Sequence, residues 1–237
     1  MQNETSTRLP TPEFSAEEVR ARILWENEHL LIWDKPAGLP VHAGFGGGIT
    51  LSDYLPYLQD EAASRVPALL HRLDRETSGC LALGKTDSAI RAYNKFFQQQ
   101  RVQKTYIALV FGRMPAKEGV IDLPIRAYQR GASMRSEIDE ARGQAAQTSY
   151  RVLQEHSGMS LVEAQPKTGR MHQIRVHFQA MGCPLAGDRN YGGQDARFPQ
   201  LMLHAAALSL PNSTFAPALT VESPLPAIWQ DYRSRTI

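Results

Sequence analysis

Two cysteines in 237 residues, Cys80 and Cys183, are too few for a disulfide framework. Neither has metal-ligand spacing, and a disulfide between them would be the wrong expectation in a reducing compartment. No apolar run approaches the roughly 18 residues that a membrane-spanning helix needs. Met1 to Pro12 is polar and has no apolar signal core. These absences point to a cytoplasmic protein with no membrane partner. Charge of one sign is also scarce: 26 Lys and Arg against 24 Asp and Glu leave a net +2, which alone does not imply a polyanion partner. There is no internal repeat and no heptad pattern, which excludes solenoids and coiled coils.

What is present is ordinary for a globular protein, with 42% hydrophobic and 21% charged residues. The length allows one large domain or two small ones. We read residues 1–14, rich in Thr, Pro and Asn, as a disordered tail, and residues 15–237 as one domain. Ser15 to Glu18 and Thr50 to Asp53 have capping-box spacing. Ile23 to Trp25 and Leu30 to Trp33 read as two short strands about a turn. Gly46 to Gly48 lacks the Lys-Ser/Thr ending of a phosphate loop. Thr86-Asp87 caps a helix whose Ala89, Ile90, Tyr93, Phe96 and Phe97 form a core stripe. Lys104 to Gly112 predicts a strand with Tyr106, Ala108 and Val110 on one face.

Residues 113–146 are polar and turn-rich and predict a hairpin or an exposed loop. Thr148 to Leu153 and Met159 to Ala164 read as paired strands. Met171, Ile174, Phe178 and Met181 then follow helical spacing, with His172 and Arg175 on one edge. Leu201 to Leu210 predicts a last strand and Pro226 to Arg233 a closing helix. Successive strands with few crossover helices imply an α+β fold with a mostly antiparallel sheet.

The chain is organised around His71-Arg72-Leu73-Asp74-Arg75-Glu76-Thr77-Ser78-Gly79, a polar loop between Ala68-Leu69-Leu70 and the apolar Cys80 to Gly84. Thr77 and Ser78 can bond neighbouring backbone, and Asp74 sits between two cations. From spacing alone, a surface turn with an Asp–Arg pair is the commoner outcome for such a segment. The cations Arg72, Arg75, Lys104, Arg126, Arg130, Arg135, Lys167, Arg170 and Arg175 flank the candidate segments, which suits a polyanion bound on one face.

The His71 to Gly79 loop resembles the signature of the RluA-type pseudouridine synthases. Further segments resemble that family in order: Lys35-Pro36-Ala37-Gly38, Lys104-x-Tyr106-x-Ala108, Lys167-Thr168-Gly169-Arg170-x-His172-Gln173-Ile174-Arg175-Val176-His177, Gly187-Asp188-x-x-Tyr191-Gly192 and Leu203-His204-Ala205. The resemblance implies a mixed sheet with a central cleft, and isomerisation of uridine to pseudouridine in ribosomal or transfer RNA with no cofactor; nothing in the sequence points away from a monomer with no obligate protein partner. The resemblance also implies that Asp74 is the catalytic residue, that Arg175 pairs with it, and that Tyr106 lies against the target base. Ile174 would form an apolar floor beneath the base. Arg72 would fill the place the base leaves or hold the backbone, and Lys104, Arg170 and His172 would contact phosphate.

Each residue also has a plainer reading: Arg175 as a surface ion pair, Tyr106 and Ile174 as core, Lys35 as a solvated turn lysine, and the cations as solvated side chains. His42, His172, His177 and His204 lack the spacing of a zinc ligand set, and His177 and His204 read as makers of structural hydrogen bonds. Gln144 departs from the lysine that many relatives have after a glycine, and Cys80 from their branched aliphatic residue. Two other activities compete with the synthase reading. One is an RNA-binding clamp on the same fold; the other is a glycoside hydrolase using Asp74 and Glu76, which nothing else in the chain supports.

Overall fold

Ser15 opens the first helix as its spacing predicts. Its hydroxyl accepts from the Glu18 amide, and the Glu18 carboxylate accepts from the Ser15 amide, capping α1 (Ala16–Arg20). The computed structural model describes residues 13–41, 48–60, 65–131 and 133–229. Strands β1 (Ile23–Glu26) and β2 (Leu30–Lys35) pair antiparallel about Asn27, whose side-chain oxygen accepts from the His29 and Leu30 amides. The Asp53 carboxylate accepts from the Thr50 amide at 2.8 Å and starts α2 (Leu51–Tyr54), which tightens into a 3-10 turn over Leu55–Leu58. A two-residue strand, β3 (Ala68–Leu69), precedes β4 (Ser78–Gly84). Thr86 caps α3 (Asp87–Gln98) by accepting from the Ala89 amide.

Next come β5 (Gln103–Phe111) and β6 (Glu118–Asp122), then a separate hairpin of β7 (Ile125–Arg130) and β8 (Ser133–Ile138). The long pair β9 (Gln147–His156) and β10 (Met159–Pro166) leads into α4 (Gln173–Ala180). The described chain closes with β11 (Leu203–Leu210), β12 (Leu219–Glu222) and a 3-10 turn over Ala227–Trp229.

Among the described residues ten strands form one sheet in the order β1-β2-β4-β11-β5-β10-β9-β6, with β12 added to β11 and β3 to β4. Only the β4–β11 pair is parallel among the described residues, so the sheet is mostly antiparallel and the fold is α+β. The unbroken apolar run of β4 has a simple cause: both faces of the sheet are covered there. Leu81 and Leu83 join Leu31 and Trp33 under α2 and α4, while Cys80 and Ala82 join Leu30 and Ile32 under Ala89 and Tyr93 of α3. The core stripe expected on α3 is there, although Phe97 also reaches the cleft described below.

Three readings need correction, and one strand carries no signal in the sequence. Helix α4 begins at Gln173, and His172 precedes it in a left-handed conformation (φ 56°, ψ 22°), so His172 and Arg175 do not share a helix edge. Lys35 is fully buried and is no solvated turn residue. Strand β12 went unread, because four residues between turns carry too little period to declare themselves. The closing helix is a single 3-10 turn within the described residues, and its remainder from 230 onward lies outside them. The tail expected over 1–14 lies outside them through residue 12, whereas the Phe14 ring packs edge-on to Tyr54, 5.8 Å between centroids. His42 and most of the glycine run are likewise outside.

The central strands meet closely where the parallel register sets Gly79 opposite Ala205. Gly79 has φ 105°, and a Cβ there would run into the Ala205 carbonyl. A Gly79→Ala substitution is therefore expected to cost about 3 kcal/mol or more, read as a lower midpoint in urea denaturation; a midpoint within 0.3 M (roughly, for an m-value of this size) of wild type would show that β4 and β11 can move apart freely.

Candidate active site

The central loop is fixed at both ends before any catalytic geometry is considered. The Ala82 amide donates to His71 Nε2 at 3.0 Å, and the Leu70 amide donates to the Ala82 carbonyl. Burial pushes the His71 imidazole down to about 3, with the Lys104 cation adding to the effect, so the ring is neutral and stacks on Phe97. At the far end, the Lys35 ammonium donates to the carbonyls of Pro36, Leu39 and Arg75 at 2.9, 2.8 and 3.0 Å. The Arg75 guanidinium donates in turn to the Gly38 carbonyl. The Lys35-Pro36-Ala37-Gly38 segment thus lies directly beneath the residue after Asp74.

Asp74 is one-fifth exposed and is reached by Arg175 Nη1 at 3.3 Å. The rest of the guanidinium is taken by Asp188: Nε donates to Oδ2 and Nη2 to Oδ1, both at 2.8 Å. Arg175 and Asp188 are 3% and 0% exposed, so this fork is a buried, bidentate pair. Burial works against the Arg175 charge, but Asp188 and Asp74 outweigh it and hold the guanidinium protonated. The Tyr191 ring lies against its cation at 5.0 Å. Asp188 also accepts from the Asn190 and Tyr191 amides, which folds its own loop around the fork.

Tyr106 projects from β5 into the same cleft. Burial raises its hydroxyl above the ordinary range, the Asp74 charge adding to this, so it stays a neutral phenol. Ile174 belongs with it to the main core cluster and lines the same cleft. Lys104, pushed down to about 8 by burial, donates to the Thr168 carbonyl. Arg170 donates from Nε to the Ala145 carbonyl. The loop carrying Arg170 is held by Gln173, whose side-chain oxygen accepts from the Thr168 hydroxyl and the Arg170 amide, and whose amide donates to the Gln147 carbonyl and the Thr148 hydroxyl. Arg72 is exposed, and its side chain makes no hydrogen bond or ion pair among the described residues. Gln144 contributes through its backbone, which pairs with Ile125.

All eight residues singled out from the sequence line one open cleft of about 460 Å³: Arg72, Asp74, Lys104, Tyr106, Arg170, His172, Ile174 and Arg175. They come from the loop before β4, from β5 and from the end of β10 into α4, and are brought together because β4, β11, β5 and β10 are adjacent strands. His177 and His204 are bound elsewhere, His177 to the Thr148 hydroxyl and Leu123 carbonyl, His204 to the Ser78 hydroxyl and Ser223 carbonyl. No group of three metal-ligating side chains occurs among the described residues. Sequence reasoning gave no role to Lys35, Asp188 or Tyr191, although all three lay in segments already noted.

Two outcomes follow from this geometry. Replacing Asp188 by Asn leaves a buried guanidinium short of its countercharge, and should lower stability by about 3 kcal/mol in chemical denaturation; a loss below about 1 kcal/mol would mean that the fork is no stronger than a surface pair. Burial pushes the Lys35 ammonium down to about 7, opposed by Asp74. A lysine depressed on folding binds fewer protons folded than unfolded, so its burial penalty is complete below pH 7 and is relieved as pH rises toward the unfolded value. Wild-type stability should therefore rise relative to Lys35→Met between about pH 7 and 10, by up to about 1.4 kcal/mol per unit; parallel pH profiles would contradict the burial argument.

Comparison with known proteins agrees with this site. The sequence model of the family described as RNA pseudouridylate synthase matches residues 29–180. The chain is 38% identical over 212 residues to an uncharacterised RNA pseudouridine synthase of Zymomonas mobilis, covering 89% of this chain and 96% of that one. It is 38% identical over 224 residues to ribosomal large subunit pseudouridine synthase D of Nitrosomonas europaea, covering 89% and 64%. It is 37% identical over 212 residues to ribosomal large subunit pseudouridine synthase C of Vibrio cholerae, covering 86% and 66%. The chain thus spans about two thirds of the length of the latter two. Among solved structures, human RNA pseudouridylate synthase domain containing 4 superposes with a TM-score of 0.78 at 28% identity, covering 93% of this chain and 94% of that one. Human RNA pseudouridylate synthase domain containing 1 gives 0.75 at 28% identity, covering 93% and 89%. No helix among the described residues is long and apolar enough to cross a membrane. With the loop, the cleft and the relatives in agreement, this chain belongs to the RluA-type RNA pseudouridylate synthase family.

Proposed function

We propose that this enzyme isomerises uridine to pseudouridine in ribosomal RNA, with Asp74 as its catalytic residue. The observation that carries the proposal is the Asp74 carboxylate, partly exposed in a cleft and held at 3.3 Å by a guanidinium that a second, buried carboxylate keeps in place. Relatives named as ribosomal large subunit pseudouridine synthases support the choice of RNA.

The reaction breaks the bond from C1′ to N1 of uracil, turns the base, and joins C1′ to C5. A proton leaves C5 and N1 gains one, so atoms balance with no redox partner and no energy source. A uracil stacked in a helix is out of reach and must be extruded; a cleft of about 460 Å³ is of a size to receive one nucleotide. Asp74 acts there as the acid–base or nucleophilic group. Tyr106, kept protonated, offers a ring face and a donor to the base, and Ile174 supports it from below. Arg72, unpaired and exposed at the mouth, enters the vacated place or holds the backbone. Lys104 and Arg170 at the rim meet phosphate. One chain supplies all of these groups, which supports a monomer acting on RNA in the cytoplasm.

Wild-type protein should form pseudouridine in ribosomal RNA, detected by mass spectrometry, whereas Asp74→Ala should form none yet retain RNA binding. Equal product from both would remove Asp74 from the reaction. Binding should weaken as salt rises, by roughly one counterion for each phosphate contacted, and a flat salt response would argue against the basic rim.

A further inference from the structure

His172 is held in a way that phosphate contact does not require. Its backbone lies in the left-handed region, which costs a non-glycine residue about 1 kcal/mol or more. Its ring is only 14% exposed, packs edge-on to Tyr191, and places Nδ1 2.7 Å from the Tyr191 hydroxyl. That hydroxyl already accepts from the Ser136 amide of β8 at 2.9 Å. A phenol has a single proton, and with the Ser136 amide already donating to its oxygen we assign that proton to the short contact with Nδ1, so that Tyr191 donates and Nδ1 accepts. In the neutral ring the hydrogen then sits on Nε2. Desolvation, opposed by Asp74, favours this neutral form.

Nε2 faces the cleft with no hydrogen-bond partner among the described residues, and the nearest carboxylate oxygen, Asp74 Oδ2, is 4.0 Å away. That is too long for a direct hydrogen bond, but an oxygen about 2.8 Å from both atoms spans it. Such an oxygen must accept from Nε2–H and donate to the carboxylate, as a water or a hydroxyl does, and of the oxygens that a nucleotide within an RNA chain brings to the cleft only the ribose 2′-hydroxyl does both, the 3′ and 5′ oxygens being esterified. A phosphate oxygen cannot donate, and a uracil carbonyl cannot either.

We propose that His172 and Asp74 hold the ribose 2′-hydroxyl of the target nucleotide between them, His172 donating and Asp74 accepting. The inference rests on the synthase reading, since it takes the ligand to be a ribonucleotide. It makes His172 a substrate-contacting residue and Tyr191 a positioning residue that fixes its tautomer. It also gives the site a means to refuse DNA: a deoxyribose leaves both groups unbridged.

The test is a thermodynamic cycle on a short RNA in which the wild-type enzyme has been seen to form pseudouridine. The same RNA is made with 2′-deoxyuridine at that one position. Equilibrium binding of both is measured for wild type, His172→Ala, His172→Gln and Tyr191→Phe, each checked for folding by circular dichroism. The deoxy change should weaken wild-type binding about tenfold to a hundredfold. His172→Ala should weaken binding of the all-ribose RNA comparably and then be nearly indifferent to the deoxy change. His172→Gln, which keeps a donor, should recover part of the discrimination, and Tyr191→Phe should lose part of it. Should His172→Ala fail to fold, the Gln and Phe variants close the same cycle. Losses that multiply independently would overturn the proposal. So would a His172→Ala variant that merely lowers the salt slope by one phosphate. A wild-type enzyme that converts no RNA would instead sink the synthase reading itself.

Discussion

The guanidinium of Arg175 is the point on which the site depends. It is almost fully buried, and such a charge is tolerated only when paired. Asp188 satisfies two of its edges and leaves Nη1 for Asp74. The groups come from two distant parts of the chain: Asp74 from the loop before β4, and Arg175 and Asp188 from helix α4 and the loop after it. Their meeting ties the strand order of the sheet to the geometry of one carboxylate. Had Asp188 been absent, a lone arginine would have had to swing between solvent and Asp74, and the carboxylate would lack a fixed neighbour.

A second layer supports this one from below. Lys35 caps the carbonyls that turn beneath the central loop, His71 pins the loop's start to β4, and Gln173 sews the loop before α4 to β9. Lys35 lies outside the cleft, while His71 and Gln173 line it and at the same time hold its walls in place. They account for much of the motif pattern, since a loop rich in polar residues can be buried only if its backbone groups are satisfied. Positioning and chemistry are therefore divided between residues adjacent in sequence, such as Arg75 with its carbonyl on Lys35 and Asp74 with its carboxylate in the cleft.

Much of this was legible beforehand where local physics decides. Capping at Ser15, Thr50 and Thr86, the apolar β4 and the α3 stripe are all set by residues within a few positions of one another. The resemblance named the segments that line the cleft. What escaped was set by distance. Lys35 looks like a turn lysine until the three carbonyls around it are seen, one of them from Arg75. Asp188 sat in a noted Gly-Asp segment, but only packing shows it forked on Arg175. His172 fell in helical register, yet it stands before the helix in a left-handed conformation with its ring bonded to Tyr191, a residue on the following loop. Hydrophobic spacing carries no trace of such a bond.

The claim that a shared guanidinium organises catalysis is tested most directly by Arg175→Lys, assayed as the single-turnover rate of pseudouridine formation alongside RNA affinity. A lysine keeps the charge but cannot bridge two carboxylates at fixed angles. The account requires the rate to fall about a hundredfold or more with affinity little changed. A rate within about twofold of wild type, well under 1 kcal/mol in the barrier, would mean that Asp74 needs no such holder and would contradict the account.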